Sequence, residues 1–112
     1  MENNQNDYLL IAVVQAQDAD DAYDSLAEHK LSVHRLPSVG AFLGNQNATF
    51  LIALPKGCQH IALDALRETC RRRVEYIAVP LENAPFPLPN PTPVTVGGAL
   101  VFGLDIEHYE EV

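Results

Sequence analysis

The fold is decided by residues 8–18, which read YLLIAVVQAQD. The first seven residues are apolar and rich in β-branched side chains, a composition typical of a buried strand. Asp18 is a predicted N-cap, and Asp20 and Asp21 fall in the first helical turn, where the helix dipole favours carboxylates. Apolar residues recur after it at helical spacing, so the sequence predicts a strand followed by a helix over 19–30.

The same two patterns alternate along the rest of the chain. Residues 31–36 and 49–54 are predicted strands, a second helix opens at 55–57, and a further strand covers 74–80. The order strand–helix–strand–strand–helix–strand is typical of an α+β, ferredoxin-like fold (βαββαβ), to which residues 94–102 add an extra C-terminal strand. We therefore expect a single domain over 1–112, with a disordered N-terminus at 1–7.

Glycine and proline interrupt these patterns at two places. Five prolines alternate with other residues from Pro85 to Pro93, which predicts a stiff, polyproline-like loop rather than a linker between domains. Gly97 and Gly98 lie inside the last predicted strand, where paired glycines indicate a bulge or a close backbone contact.

Composition excludes several classes of protein. The 112 residues carry 7 Lys+Arg and 15 Asp+Glu, a net charge of −8, which argues against a protein that coats nucleic acid. The uncharged runs 36–55 and 83–104 are interrupted by turn residues or prolines, so neither predicts membrane insertion. No basic and apolar leader precedes residue 8. We expect a cytoplasmic protein.

The predicted strands indicate an assembly. Residues 9–14 and 50–54 are apolar on both faces, although two helices can cover only one side of an antiparallel sheet. A homo-oligomer packed through the other side is the simplest way to cover it.

The sequence contains no recognisable catalytic motif. Cys58 and Cys70 show no partnership with a histidine, and there is no nucleophile elbow, so we expect no enzyme and no cofactor. The four histidines lack the spacing of a local metal site. A metal site assembled across subunits, for example from His34 or His108, is kept as an alternative.

Four segments together resemble the PII-like cyclic di-AMP receptors, over roughly residues 9–112. They are IAVVQAQD at 11–18, GAFL at 40–43, NATFL at 47–51 and VGGALVF at 96–102. The resemblance implies a subunit of a PII-like homotrimer that acts in cytoplasmic signal transduction. It also implies that the nucleotide lies between neighbouring subunits, near a T-loop at 37–48 and a proline-rich B-loop at 81–93.

The resemblance also implies which residues bind the ligand. Phe42 and Leu43 would supply apolar contacts to an adenine, Asn47 a polar contact, and Phe102 a further wall of the pocket. His34 stands at a ligand-binding position where the characterised receptors have threonine.

At four further positions the chain departs from those receptors. Lys30 and Ser32 stand where they have Asn and Arg, Ala53 where they have Gly, and Glu111 where they have Gln. Loss of the arginine at 32 removes a charge-assisted phosphate contact of about 1.5–3 kcal/mol, for which Arg35 or Lys30 could compensate.

Two functions follow from the resemblance. The first is a sensor that binds cyclic di-AMP or a related adenine nucleotide at subunit interfaces and signals to a partner protein through its loops. The alternative is a PII-like trimeric scaffold that has lost nucleotide binding and acts through protein contacts alone.

Overall fold

The computed structural model describes residues 6–36, 46–79, 90–110 and 112. Among these residues the chain forms two helices and six strands. In chain order they are β1 (Tyr8–Gln15), α1 (Ala16–Glu28), β2 (Ser32–Leu36), β3 (Asn47–Leu54), α2 (Gln59–Thr69), β4 (Arg73–Val79), β5 (Asn90–Val96) and β6 (Ala99–Asp105).

Four of the strands form one antiparallel sheet in the order β2-β3-β1-β6, and β4 and β5 form a separate two-stranded ribbon. The position beside β1, which a ferredoxin-like fold gives to its fourth strand, is therefore taken by β6. The ribbon is an insertion between α2 and that strand. The predicted α+β fold with an antiparallel sheet and two helices is confirmed.

The predicted C-terminal strand over 94–102 is two strands rather than one. It breaks at Gly97 and Gly98, both of which have positive φ, so that Val96 ends the ribbon and Ala99 begins the main sheet. Two predicted loop boundaries also differ. Residues 90–93 belong to β5 rather than to the proline-rich loop, and Asn47 begins β3 instead of lying in the preceding loop.

The first helix begins earlier than the acidic pattern predicts. Gln15, not Asp18, is the N-cap residue, and Asp18 lies within the first turn with 4% of its surface exposed. The helix ends at Glu28 because Lys30 adopts a left-handed conformation, with φ of 60°. The predicted interval 19–30 was therefore displaced by two to three residues at each end.

Both helices pack on one face of the main sheet. Alternate residues of β1 and β3 point toward them, and Phe50, Leu26 and Ile52 are fully buried in the resulting core. Small residues on the helices let them approach the sheet and each other. The buried members are Ala19, Ala22, Ala62 and Ala65.

Candidate functional site

The face of the main sheet that looks away from the helices carries apolar side chains. We call it the open face. On its edge strand β6, Leu100, Phe102 and Leu104 expose 62%, 56% and 50% of their surface. Their register partners on β1 are Val13, Ile11 and Leu9, which are half-buried. An exposed apolar surface of this kind marks an interaction site.

The strand register places two of the predicted ligand residues in one row across the open face. His34 pairs with Leu51, Leu51 with Ile11, and Ile11 with Phe102. The row spans three strand spacings, so its two ends lie about 14 Å apart. His34 and Phe102 of one chain therefore cannot contact the same purine ring. A single base that contacts both kinds of residue would have to receive them from two different chains.

Asn47 lies elsewhere, in a cleft where β1, β3 and the two glycines meet. This hinge cleft has a volume of about 190 Å³. The side chains of Asn47 and Gln15 bring amide groups to it, and Val13 and Leu100 bring apolar surface from the open face. Amides beside apolar walls suit a purine, which needs directional hydrogen bonds as well as stacking surface.

The backbone around the two glycines is held by hydrogen bonds from both sides. The Gly97 amide donates to Oε1 of Gln15 at 2.8 Å, and the Gly98 amide donates to the carbonyl oxygen of Cys70 at 2.6 Å. A β-carbon on Gly97 would overlap the carbonyl oxygen of Arg71. Only glycine fits this close approach, since φ is also +89° there.

A half-buried ion pair anchors the ribbon to α1 beside this cleft. Arg73 at the start of β4 donates through Nη2 and Nη1 to the two carboxylate oxygens of Asp18, at 2.9 and 3.4 Å. It also donates to Glu75 and to the carbonyl oxygen of Arg71. The pKa of Arg73 is raised, first by its hydrogen bond to Asp18. The burial of Asp18, which the N-cap prediction missed, is explained by this pair.

Of the two cations expected to replace the missing arginine at position 32, Arg35 lies on the other face of the sheet. Arg35 pairs in register with the buried Phe50, so it points to the helix side, where it binds Asp20 at 2.8 Å. Lys30 lies in the turn before β2. Ser32 itself shares a hydrogen bond with the hydroxyl of Tyr109 at 3.2 Å.

Arg72 is an exposed cation that the sequence analysis passed over. It lines the hinge cleft and also a neighbouring groove of about 340 Å³ between α2 and β6. Its signal in the sequence is the run Arg71-Arg72-Arg73, which is typical of the C-terminal end of a helix. The structure gives the three arginines different surroundings, and only Arg73 is paired with carboxylates among the described residues.

Some of the predicted binding residues lie outside the part of the chain that the structure describes. Phe42, Leu43 and Glu111 belong to the parts that the structure does not describe. Within the described part, no three His, Cys, Asp or Glu side chains gather as metal ligands, and no helix there is both long and apolar enough to cross a membrane. Burial raises the pKa of the Cys70 thiol, which keeps it protonated at neutral pH.

Comparison with known proteins adds the decisive observation. Residues 8–112 match the family described as Cyclic-di-AMP receptor, a match that includes every described strand and helix. The chain belongs to the cyclic-di-AMP receptor family. The resemblance drawn from its four sequence segments is thereby confirmed.

A solved structure shares the fold of this receptor-family chain. It is a crystal structure of a functionally unknown protein from Pediococcus pentosaceus ATCC 25745, with a TM-score of 0.74 and 27% sequence identity. The similarity covers 96% of this chain and 99% of that one. The two chains therefore share a fold over nearly the full length of both.

Proposed function

We propose that this protein is a non-catalytic receptor that binds cyclic di-AMP, or a related adenine nucleotide, between the subunits of a homotrimer. Binding changes the conformation of the T-loop and the B-loop, and a partner protein in the cytoplasm responds to that change. Family membership supports the ligand class. The register across the open face supports a site between subunits, because one chain holds His34 and Phe102 at opposite edges of its sheet.

The chemistry of the described residues agrees with binding rather than catalysis. The hinge cleft offers amide groups and apolar walls, which can hold a nucleotide without making or breaking bonds. Both cysteines are free thiols, as expected in a reducing compartment, and the buried one is protonated. Affinity would come from stacking and from a few directed hydrogen bonds.

Calorimetric titration with cyclic di-AMP tests the proposal, with ATP and cyclic di-GMP as comparison ligands. We expect saturable binding of cyclic di-AMP at about one ligand per subunit, since a closed trimer has as many interfaces as chains. Absence of heat with all three nucleotides would overturn the proposed ligand. The scaffold that acts through protein contacts would then be favoured, in keeping with the serine at position 32 and its hydrogen bond to Tyr109.

Replacing Asn47 by alanine should weaken cyclic di-AMP binding roughly two- to tenfold, the loss of one hydrogen bond between neutral groups. The neighbouring Gln46 is the matched control, because it is an exposed amide outside the hinge cleft whose contact to α1 is made by its backbone carbonyl. Gln46→Ala should bind like the parent protein. Size-exclusion chromatography should show both variants in the parent's assembly, and equal affinities would remove Asn47 from the binding site.

A further inference from the structure

The side chain of Arg72 lies close to the backbone of Gly98, because glycine has no side chain that would crowd it. A β-carbon built on Gly98 would stand 3.1 Å from Nε and 3.3 Å from Cγ of Arg72. The arginine therefore lies along the glycine backbone at the edge of the hinge cleft, although it remains exposed to solvent. Glycine at position 98 lets a long cationic side chain approach a cleft that a larger residue would crowd.

Arg72 is one of three cations that have no carboxylate partner among the described residues, and it alone of the three lines the hinge cleft. All seven lysines and arginines fall within the described residues, and four of them pair with carboxylates there: Arg35, Lys56, Arg67 and Arg73. Arg72 has no carboxylate partner in the described part of the chain. It is also the only charged residue among those that line the hinge cleft there.

An anionic ligand in this cleft needs a positively charged group beside it. The chain carries a net charge of −8, which repels phosphate at long range. A guanidinium offers paired N–H donors that match two oxygens of one phosphate. Asn47 and Gln15 line the same cleft and carry amide groups, which can hydrogen-bond the edge of a base but supply no charge.

We propose that Arg72 binds a phosphate of the nucleotide in the hinge cleft and provides the positive charge of that site. This inference rests on the proposed function and deepens it, because it identifies the cleft as a site for the phosphate as well as for the base. It also places the charged group of the ligand next to Arg73, which anchors the ribbon to α1. The residue that binds the ligand and the residue that anchors the ribbon are then consecutive in the chain.

Calorimetry with cyclic di-AMP on the full-length protein and three variants tests this role. Arg72→Gln should lower affinity at least tenfold and should make the remaining binding less sensitive to NaCl, because a charged contact is lost. Arg72→Lys keeps the charge but not the paired donors, so it should bind between the two. Arg71→Gln is the matched control, since Arg71 is exposed and does not line the hinge cleft, and its affinity should stay within twofold.

The possible outcomes separate the two proposals. If the parent protein binds and Arg72→Gln binds equally well, the assignment of Arg72 is wrong while the receptor function stands. If the parent protein shows no binding, the receptor function and the assignment both fall. Thermal unfolding of each variant shows whether an affinity loss reflects misfolding. A variant of Arg72 that unfolds like the parent and retains full salt sensitivity also contradicts the assignment.

Discussion

Replacing Gly97 by alanine should lower the stability of the protein by on the order of 3 kcal/mol, which corresponds to a fall in melting temperature of roughly 10 °C or more. The new β-carbon would overlap the carbonyl oxygen of Arg71 and lie 2.8 Å from its carbonyl carbon. These are backbone atoms, so the contact can be relieved only by moving the ribbon or the main sheet. The left-handed backbone of this residue adds to the cost.

Gly57 provides the matched control for this experiment. It has a comparable φ of +101°, but a β-carbon there would find nothing within 4 Å. Gly57→Ala should therefore cost only the backbone strain, about 1–2 kcal/mol. Thermal unfolding followed by circular dichroism measures both. Equal losses of stability in the two variants would show that the contact at Gly97 relaxes without cost. The backbone around Gly97 and Gly98 would then not be rigid.

Replacing Phe102 by aspartate should convert the proposed homotrimer into single chains. Phe102 lies near the middle of β6 on the open face, between Leu100 and Leu104, and is more than half exposed in one chain. Packing this face against other subunits would bury it, and a carboxylate cannot be buried there without a partner. Light scattering after size-exclusion chromatography should give about three times 12.3 kDa for the parent and about one times that mass for the variant.

Tyr76→Asp is the control for this change. Tyr76 is an aromatic residue with 70% exposure, but it lies on the ribbon strand β4 rather than on the open face. The same charge at this position should leave the trimer intact. A trimer that survives Phe102→Asp would exclude the open face as its interface, and dissociation by Tyr76→Asp alone would assign the interface to the ribbon instead.

Local sequence patterns predicted the helices and strands, because the formation of each element depends mainly on residues that are close together in the sequence. The apolar run at 8–14 is β1, the mixed segment after it is α1, and residues 49–54 lie within β3. The error at the start of α1, in contrast, has a long-range cause. Asp18 has the residue type of an N-cap, but a contact with Arg73, 55 positions away, holds it inside the helix.

The candidate site was harder to predict than the fold. Asn47 was named through the resemblance, and the structure places it in a cleft, but its neighbours there come from distant parts of the chain. Gln15 and Arg72 were not singled out, although Gln15 lies in one of the quoted segments. The sequence does not indicate that these residues meet, because their approach depends on the pairing of β6 with β1 and of β4 with β5.

The sequence by itself determined the class of fold, the family, and the surplus of apolar strand surface that predicts an assembly. The periodicity of side chains and the identity of short segments carry that information directly. Only the tertiary structure decided that β6 and not β4 completes the main sheet, that Arg35 faces the helices, and that Arg72 reaches the cleft. Strand pairing joins backbone groups that nearly any sequence possesses, so the choice of partner is settled by long-range packing and by the break at two glycines.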